Sequence, residues 1–178
     1  LIIVLLINLI TTPTFFRITI NNGVLYGYII DVINRASELV VLAVGMTLVV
    51  SASAGTDISV GAVMAVAAAV CTRVLAGGEV SVNEYANPYV LAVLAALAAA
   101  VVCGGFNGLL VAKLKIQPMV ATLILFTAGR GISQLVTNGQ ITYIRVDGYK
   151  LLGNNIPGIP IPTPIFVAVI VVALTYIL

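Results

Sequence analysis

Charged side chains are missing from this chain over long distances. None occurs from Leu39 to Thr56, from Ile58 to Thr72, from Tyr85 to Ala112 or from Ile116 to Gly129. These stretches are dense in Ala, Val and Leu, and they lack the alternating polarity that a barrel strand shows over roughly 10 residues. In lipid every backbone N–H and C=O must be satisfied internally, so only helices and closed barrels can cross a membrane. Unbroken apolar runs therefore predict helices. Composition points the same way: 61% of the 178 residues are hydrophobic and 8% are charged. The mean hydropathy is +1.21, whereas a soluble domain is about 25% charged. A chain this apolar cannot cover its own surface with polar groups, and the lipid bilayer is its expected solvent.

The expected fold class is all-α, a polytopic membrane helical bundle with about six transmembrane segments of about 20 residues each. Leu1 to Ile10 is the outer half of a first span, and Thr11 to Asn22, with Pro13 as a breaker, leaves the bilayer. Leu25 to Arg35 places Tyr26, Ile29, Ile30 and Ile33 at helical spacing, as in a short amphipathic helix lying at the interface. Glu38–Ser53, Ile58–Leu75, Tyr89–Leu114 and Pro118–Val136 are the second to fifth spans. The stretch from Ser51 to Asp57 interrupts the second and third. Gly77–Pro88 is a loop, Thr137–Pro164 is a long loop, and Pro164–Leu178 begins a sixth span. The chain opens and stops inside apolar runs, so residues 1–178 are expected to be one partial transmembrane domain, an interior piece of a longer protein.

Several function classes are excluded by what is missing. The formal net charge is +2 and there is no His, so no basic footprint for nucleic acid exists. Cys71 and Cys103 lie in apolar runs and behave as small hydrophobes rather than as a disulfide or a metal pair. No cofactor is expected. There is no phosphate-binding loop, no paired catalytic carboxylates and no nucleophile with a His base, so catalysis by this chain is not expected.

The polar residues that remain are costly at membrane depth. A carboxylate there costs about 2.5–3.5 kcal/mol on insertion scales. Asp57 stands between two apolar runs, after Gly55 and before Ser59 and Gly61. It fits either a helix N-cap or a group lining a hydrated path. Arg130 stands within Thr127-Ala-Gly-Arg-Gly-Ile132 and must face protein or water, as a structural partner or as a pore-facing group. Asn107 is expected to hydrogen-bond across helices. Gly104 and Gly108 around it make a G-x-x-x-G spacing, a helix-packing face. Thr122, Thr127 and Gln134 join Arg130 to make the fifth span the most polar and the one expected to line a path.

Two linked strings, Gly45-Met-Thr-Leu-Val-Val50 and Gly55-Thr-Asp-Ile-Ser-Val-Gly61-Ala-Val-Met64, resemble the permeases of bacterial ABC sugar importers of the ribose/xylose/arabinose type. Asn107-Gly-Leu-Leu, Lys115-Ile-Gln-Pro-Met-Val-Ala-Thr-Leu123, Gly129-Arg-Gly131 and Thr137-Asn-Gly139 follow in the family's order. The likeness covers roughly residues 31 to 141. Within the family, Asp31-Val-Ile-Asn-Arg-Ala36 and Ile116–Leu125 look most like the permease of galactofuranose importers. Ala54-Gly55-Thr56 departs from the usual Gly-Gly-Ile of that turn.

The resemblance implies a permease subunit in the bacterial cytoplasmic membrane that moves a monosaccharide by alternating access. It also implies partners: a cytoplasmic ATP-binding subunit, a second permease subunit and a periplasmic sugar-binding protein. ATP would bind the partner. The Lys113/Lys115 turn would face the cytoplasm, a topology that charge alone leaves unresolved. Candidate path or motif residues are Asp57, Ser59, Gly61, Asn107, Thr122, Arg130 and Gln134. The rival reading is an ion-coupled secondary transporter of a small polar solute, for which Asp57 is the one coupling carboxylate on offer.

Overall fold

A computed structural model describes residues 15–21, 24–146 and 161–177, together with Val4, Ile7, Asn8 and Thr11. Most of the expected first span and much of the long loop, including residues 147–160, lie outside the described residues. In chain order the elements are β1 (Thr19–Asn21), β2 (Val24–Tyr26), α1 (Tyr28–Ser53), α2 (Val60–Leu75), β3 (Ser81–Val82), α3 (Tyr89–Ala112), α4 (Pro118–Val136), β4 (Tyr143–Ile144) and α5 (Thr163–Ile177). The all-helical membrane architecture expected from the apolar runs is present. Helices α1, α3 and α4, of 26, 24 and 19 residues, are long and apolar enough to cross a membrane. Helices α2 and α5 are apolar but shorter, at 16 and 15 residues.

One expectation is corrected at the start. The amphipathic stretch before Arg35 is not a separate interfacial helix. Leu25 and Tyr26 belong to a strand, and the chain is one continuous helix from Tyr28 to Ser53. No Pro stands between Arg35 and Glu38 to break it, and Ala36-Ser37 are tolerated within a helix. At 1.5 Å per residue the helix is about 39 Å long, more than the roughly 30 Å of hydrocarbon, so its polar first turns can reach past the apolar layer. Ahead of it β1 and β2 pair antiparallel with Asn21 opposite Val24. The sequence pair Asn22-Gly23 between them is a strong hairpin signal.

The chain divides into two compact units. One comprises residues 1–44 and 147–178, and holds the hairpin, the first part of α1 and α5. The other, Gly45–Val146, holds the last turns of α1 with α2, α3 and α4. In the second unit α2 is central and packs against both α3 and α4. Its core is built from small residues: Ala62, Ala69, Ala92 and Ala121 are buried, with Val66, Leu75, Leu110 and Leu125 filling between them. Small side chains let helix backbones approach closely, which is how helices associate where lipid is as apolar as Leu. Helices α2 and α4 come close at Gly129, where an added Cβ would lie 3.0 Å from the Cβ of Ala62.

The two ends of this unit are closed differently. Beyond α2 the chain is tied by backbone acceptors. Arg73 Nη1 donates to Gly78 O at 2.8 Å, Asn87 Nδ2 to Val74 O at 2.8 Å, and Ala86 N to Leu75 O at 2.9 Å. Strands β3 and β4 pair in parallel, Ser81 opposite Tyr143, joining the α2–α3 loop to the segment after α4. The other end is joined by side chains.

Candidate functional site

Between α1 and α2 the chain makes a six-residue step, Ala54 to Ser59. Ala54 ends α1 in the left-handed region at φ 50. Gly55 follows because nothing larger fits: a Cβ there would lie 2.5 Å from Cγ of Pro118, the first residue of α4. Helix α2 then begins at Val60, with Ser59 in the N-cap position but making no side-chain cap bond. The cap expected at Asp57 is thus displaced by two residues. Asp57 Oδ1 instead accepts the backbone N–H of Ser59 at 2.7 Å and the Ser59 hydroxyl at 2.7 Å. A carboxylate beside a helix N-terminus is favoured by the free N–H groups there. Asp57 thus sits two residues ahead of the N-cap and also borders the cavity described below.

Ser59 is the joint of the site. It is fully buried, and its hydroxyl oxygen accepts Asn107 Nδ2 from α3 at 2.8 Å. Asn107 therefore does bond across helices. On the α4 side, Ile58 N donates to Thr122 Oγ1 at 3.2 Å, and Thr122 Oγ1 donates to Met119 O at 3.3 Å. The network joins three helices and has a fixed polarity. The ionised carboxylate can only accept, so the Ser59 hydroxyl must point its hydrogen at Asp57 and accept from Asn107 with its oxygen. That choice sets the orientation of the Asn107 amide. Its carbonyl oxygen is left buried with no partner, although the residue is only 7% exposed. A buried unpaired acceptor costs about 1–3 kcal/mol.

These residues border a cavity of about 470 Å³, with Asp57, Asn107 and Thr122 on its polar side and Gly104, Gly108 and Pro118 among the rest of its wall. This corrects the G-x-x-x-G expectation. A Cβ on Gly104 or Gly108 would meet nothing within 4 Å, so these glycines are not a packing face within the described residues. They leave space beside Asn107.

The other candidates go elsewhere. Gly61 is exposed and likewise has nothing within 4 Å of an added Cβ. Arg130 is exposed, with its guanidinium 4.5 Å from the centroid of the Phe126 ring. Gln134 is exposed and lies with Thr72, Ser133 and Thr137 around a smaller recess of about 260 Å³ at the other ends of α2 and α4. At 100° per residue, Arg130 stands about 80° and Gln134 about 120° round the helix from Thr122. Only Thr122 shares the face of Ala121, Leu125 and Gly129 that packs inward. The polarity expected of the fifth span is real, but most of it faces away from the cavity. Cys71 and Cys103 are free thiols. Sequence reasoning missed Ser53 and Pro118 as wall residues. Pro118 had a signal, since Pro at the first helical position is preorganised to start a helix.

A family model described as "Branched-chain amino acid transport system / permease component" matches residues 28–178. The galactofuranose transporter permease protein YtfT of Escherichia coli (strain K12) is 42% identical over 178 residues, which is 100% of this chain and 49% of that protein. The fructose import permease protein FruF of Bifidobacterium longum (strain NCC 2705) is 39% identical over 135 residues, 76% of this chain and 34% of that protein. The ribose import permease protein RbsC of Escherichia coli (strain K12) is 33% identical over 175 residues, 95% of this chain and 49% of that protein. The chain thus spans about half the length, or less, of these curated relatives. No solved structure gives a significant match.

Proposed function

Because this chain belongs to the ABC importer permeases, in the family whose members are described as the permease component of branched-chain amino acid transport systems, we propose that it forms part of the conduit through which an importer passes a monosaccharide. It is an integral membrane protein by family and by its apolar helices, and the bacterial cytoplasmic membrane is its proposed location. The proposed partners are a cytoplasmic ATP-binding subunit, a second permease subunit and a periplasmic sugar-binding protein. Galactofuranose, fructose and ribose, named for its relatives, set the proposed substrate class.

The observation that carries this reading is the polar cluster of Asp57, Ser59, Asn107 and Thr122 beside a cavity of about 470 Å³ in otherwise apolar helices. Stripping a sugar hydroxyl of water without a replacement partner costs several kcal/mol. A wall that offers hydrogen-bond partners lowers that cost. Few contacts are offered, so the permease alone binds sugar weakly and selection rests with the binding protein. Asp57, Ser59, Asn107 and Thr122 are proposed to border the path. Gly61 is proposed as part of the turn motif that starts α2, and Arg130 and Gln134 as polar contacts on the outer face of α4.

The test is uptake of labelled galactofuranose, ribose and fructose into proteoliposomes holding the full-length permease with its ATP-binding subunit and binding protein. ATP-dependent uptake of at least one sugar is expected. Uptake driven by an ion gradient without ATP would overturn the reading in favour of a secondary transporter.

A further inference from the structure

The polarity of the hydrogen-bond network has a chemical result. Every side-chain donor atom on the cavity wall is already directed at an acceptor of the protein. Ser53 Oγ donates to Val49 O at 2.8 Å, Thr122 Oγ1 to Met119 O and Asn107 Nδ2 to Ser59 Oγ. Backbone donors near the wall are engaged as well: Gly55 N by Ser53 Oγ, Ile58 N by Thr122 Oγ1 and Ser59 N by Asp57. Beyond the second N–H of Asn107 Nδ2, what remains unengaged is acceptor capacity. Asp57 uses Oδ1 for both of its bonds, which leaves Oδ2, and the Asn107 carbonyl has no partner. Among the described residues no Lys or Arg side chain lies on this wall.

We infer that Asp57 makes this cavity a charge filter, which takes solutes that donate hydrogen bonds and turns back anions. The inference deepens the sugar-conduit reading and rests on it. A free sugar offers hydroxyl donors to Asp57 Oδ2. A phosphorylated sugar or a sugar acid brings a negative charge against a carboxylate with no cation beside it on the described wall. Two unit charges at such range in a partly desolvated site repel far more than in bulk water. The filter acts inside the membrane, independently of the soluble binding protein.

Thiol reactivity on the permease itself tests this without involving the binding protein. In membrane vesicles carrying the full transporter, Cys71 and Cys103 are replaced by Ser, and one wall position is converted, Ala52→Cys or, separately, Val111→Cys. Each is treated with a neutral hydroxyethyl and an anionic sulfonatoethyl methanethiosulfonate, with rates divided by those for a free thiol in solution. The anionic reagent is expected to react at least about tenfold more slowly than the neutral one, as for one unit charge near another at intermediate dielectric. Asp57→Asn keeps an oxygen for both Ser59 bonds while removing the charge, and it should bring the ratio to within about twofold. A Thr137→Cys site at the far recess serves as the reference and should show no such ratio.

Equal rates in the parent protein, a ratio that survives Asp57→Asn, the same ratio at Thr137→Cys, or no reaction of the neutral reagent at either wall position would each overturn the filter. ATP-driven sugar uptake is read in the same vesicles. Its loss in the parent protein sinks the conduit reading, whereas uptake without charge discrimination sinks the filter alone.

Discussion

The two ends of the three-helix unit are built on opposite principles. At the far end, beyond Leu75, side-chain donors meet backbone carbonyls, a short parallel ladder joins β3 to β4, and Leu75 and Ala76 are almost wholly buried. At the near end, Asp57, Ser59 and Asn107 bond to one another, Thr122 accepts the N–H of Ile58, a cavity opens, and one buried carbonyl goes unpaired. The Tyr85 hydroxyl is buried without a partner at the far end too, so what separates the two ends is how they are tied: main-chain acceptors and a ladder at one, side chains reaching across helices at the other.

This contrast can be broken from either side. The largest effect is expected at the sealed end. Leu75→Ala should lower the stability of the detergent-solubilised protein by about 2–5 kcal/mol through the cavity it leaves, read as a fall in its thermal unfolding midpoint. The anion discrimination at the Asp57 cavity should persist in whatever protein remains folded. A smaller loss, about 1–3 kcal/mol, is expected for Gly55→Val at the open end, because its Cβ would drive the Pro118 ring and the start of α4 outward. Here, unlike with Leu75→Ala, reactivity of a cysteine at Ala52 should change as well, since the wall itself shifts. The smallest effect is a gain. Ala54 sits at φ 50, where an L-residue pays a steric penalty that Gly does not. Ala54→Gly should raise stability by about 0.5–1 kcal/mol after the added chain entropy is counted. A lower midpoint in this variant would show that the left-handed turn is not where strain is held.

The sequence showed the helices better than it showed their faces. Tyr89 and Pro118 are the observed starts of α3 and α4, and Val136 is the observed end of α4, as expected from the prolines and the apolar runs. Only the last two residues of the fourth span, Lys113 and Leu114, fall outside α3. The merging of two expected elements into α1 was not legible, because polar residues at Asp31, Asn34, Arg35 and Glu38 look like an interface whether or not the helix continues. Facing was harder still. In water, hydrophobic periodicity tells inside from outside. In lipid both sides are apolar, so Val101 and Val102 are exposed while Ala92 is buried on the same helix, and no period separates them. Asn107 and Thr122 could be named as polar groups in a span, but not that they meet the chain at adjacent residues, Ser59 and Ile58. Arg130 drew notice by its charge alone, and its angle round α4 sends it outward.

The β3–β4 ladder also has a mechanical meaning. It ties the far ends of the helices through main-chain bonds, from Tyr143 N to Val80 O and from Arg145 N to Val82 O, while at the near ends the start of α2 meets α3 and α4 through side-chain hydrogen bonds that can exchange partners. Such an arrangement is a lever with its fulcrum at the ladder. Over the roughly 24 Å length of α2, a tilt of about 5° moves the opposite tip by about 2 Å. That travel is enough to part Gly55 from the Pro118 ring, or to admit a hydroxyl to the carbonyl of Asn107, while the ladder itself barely turns.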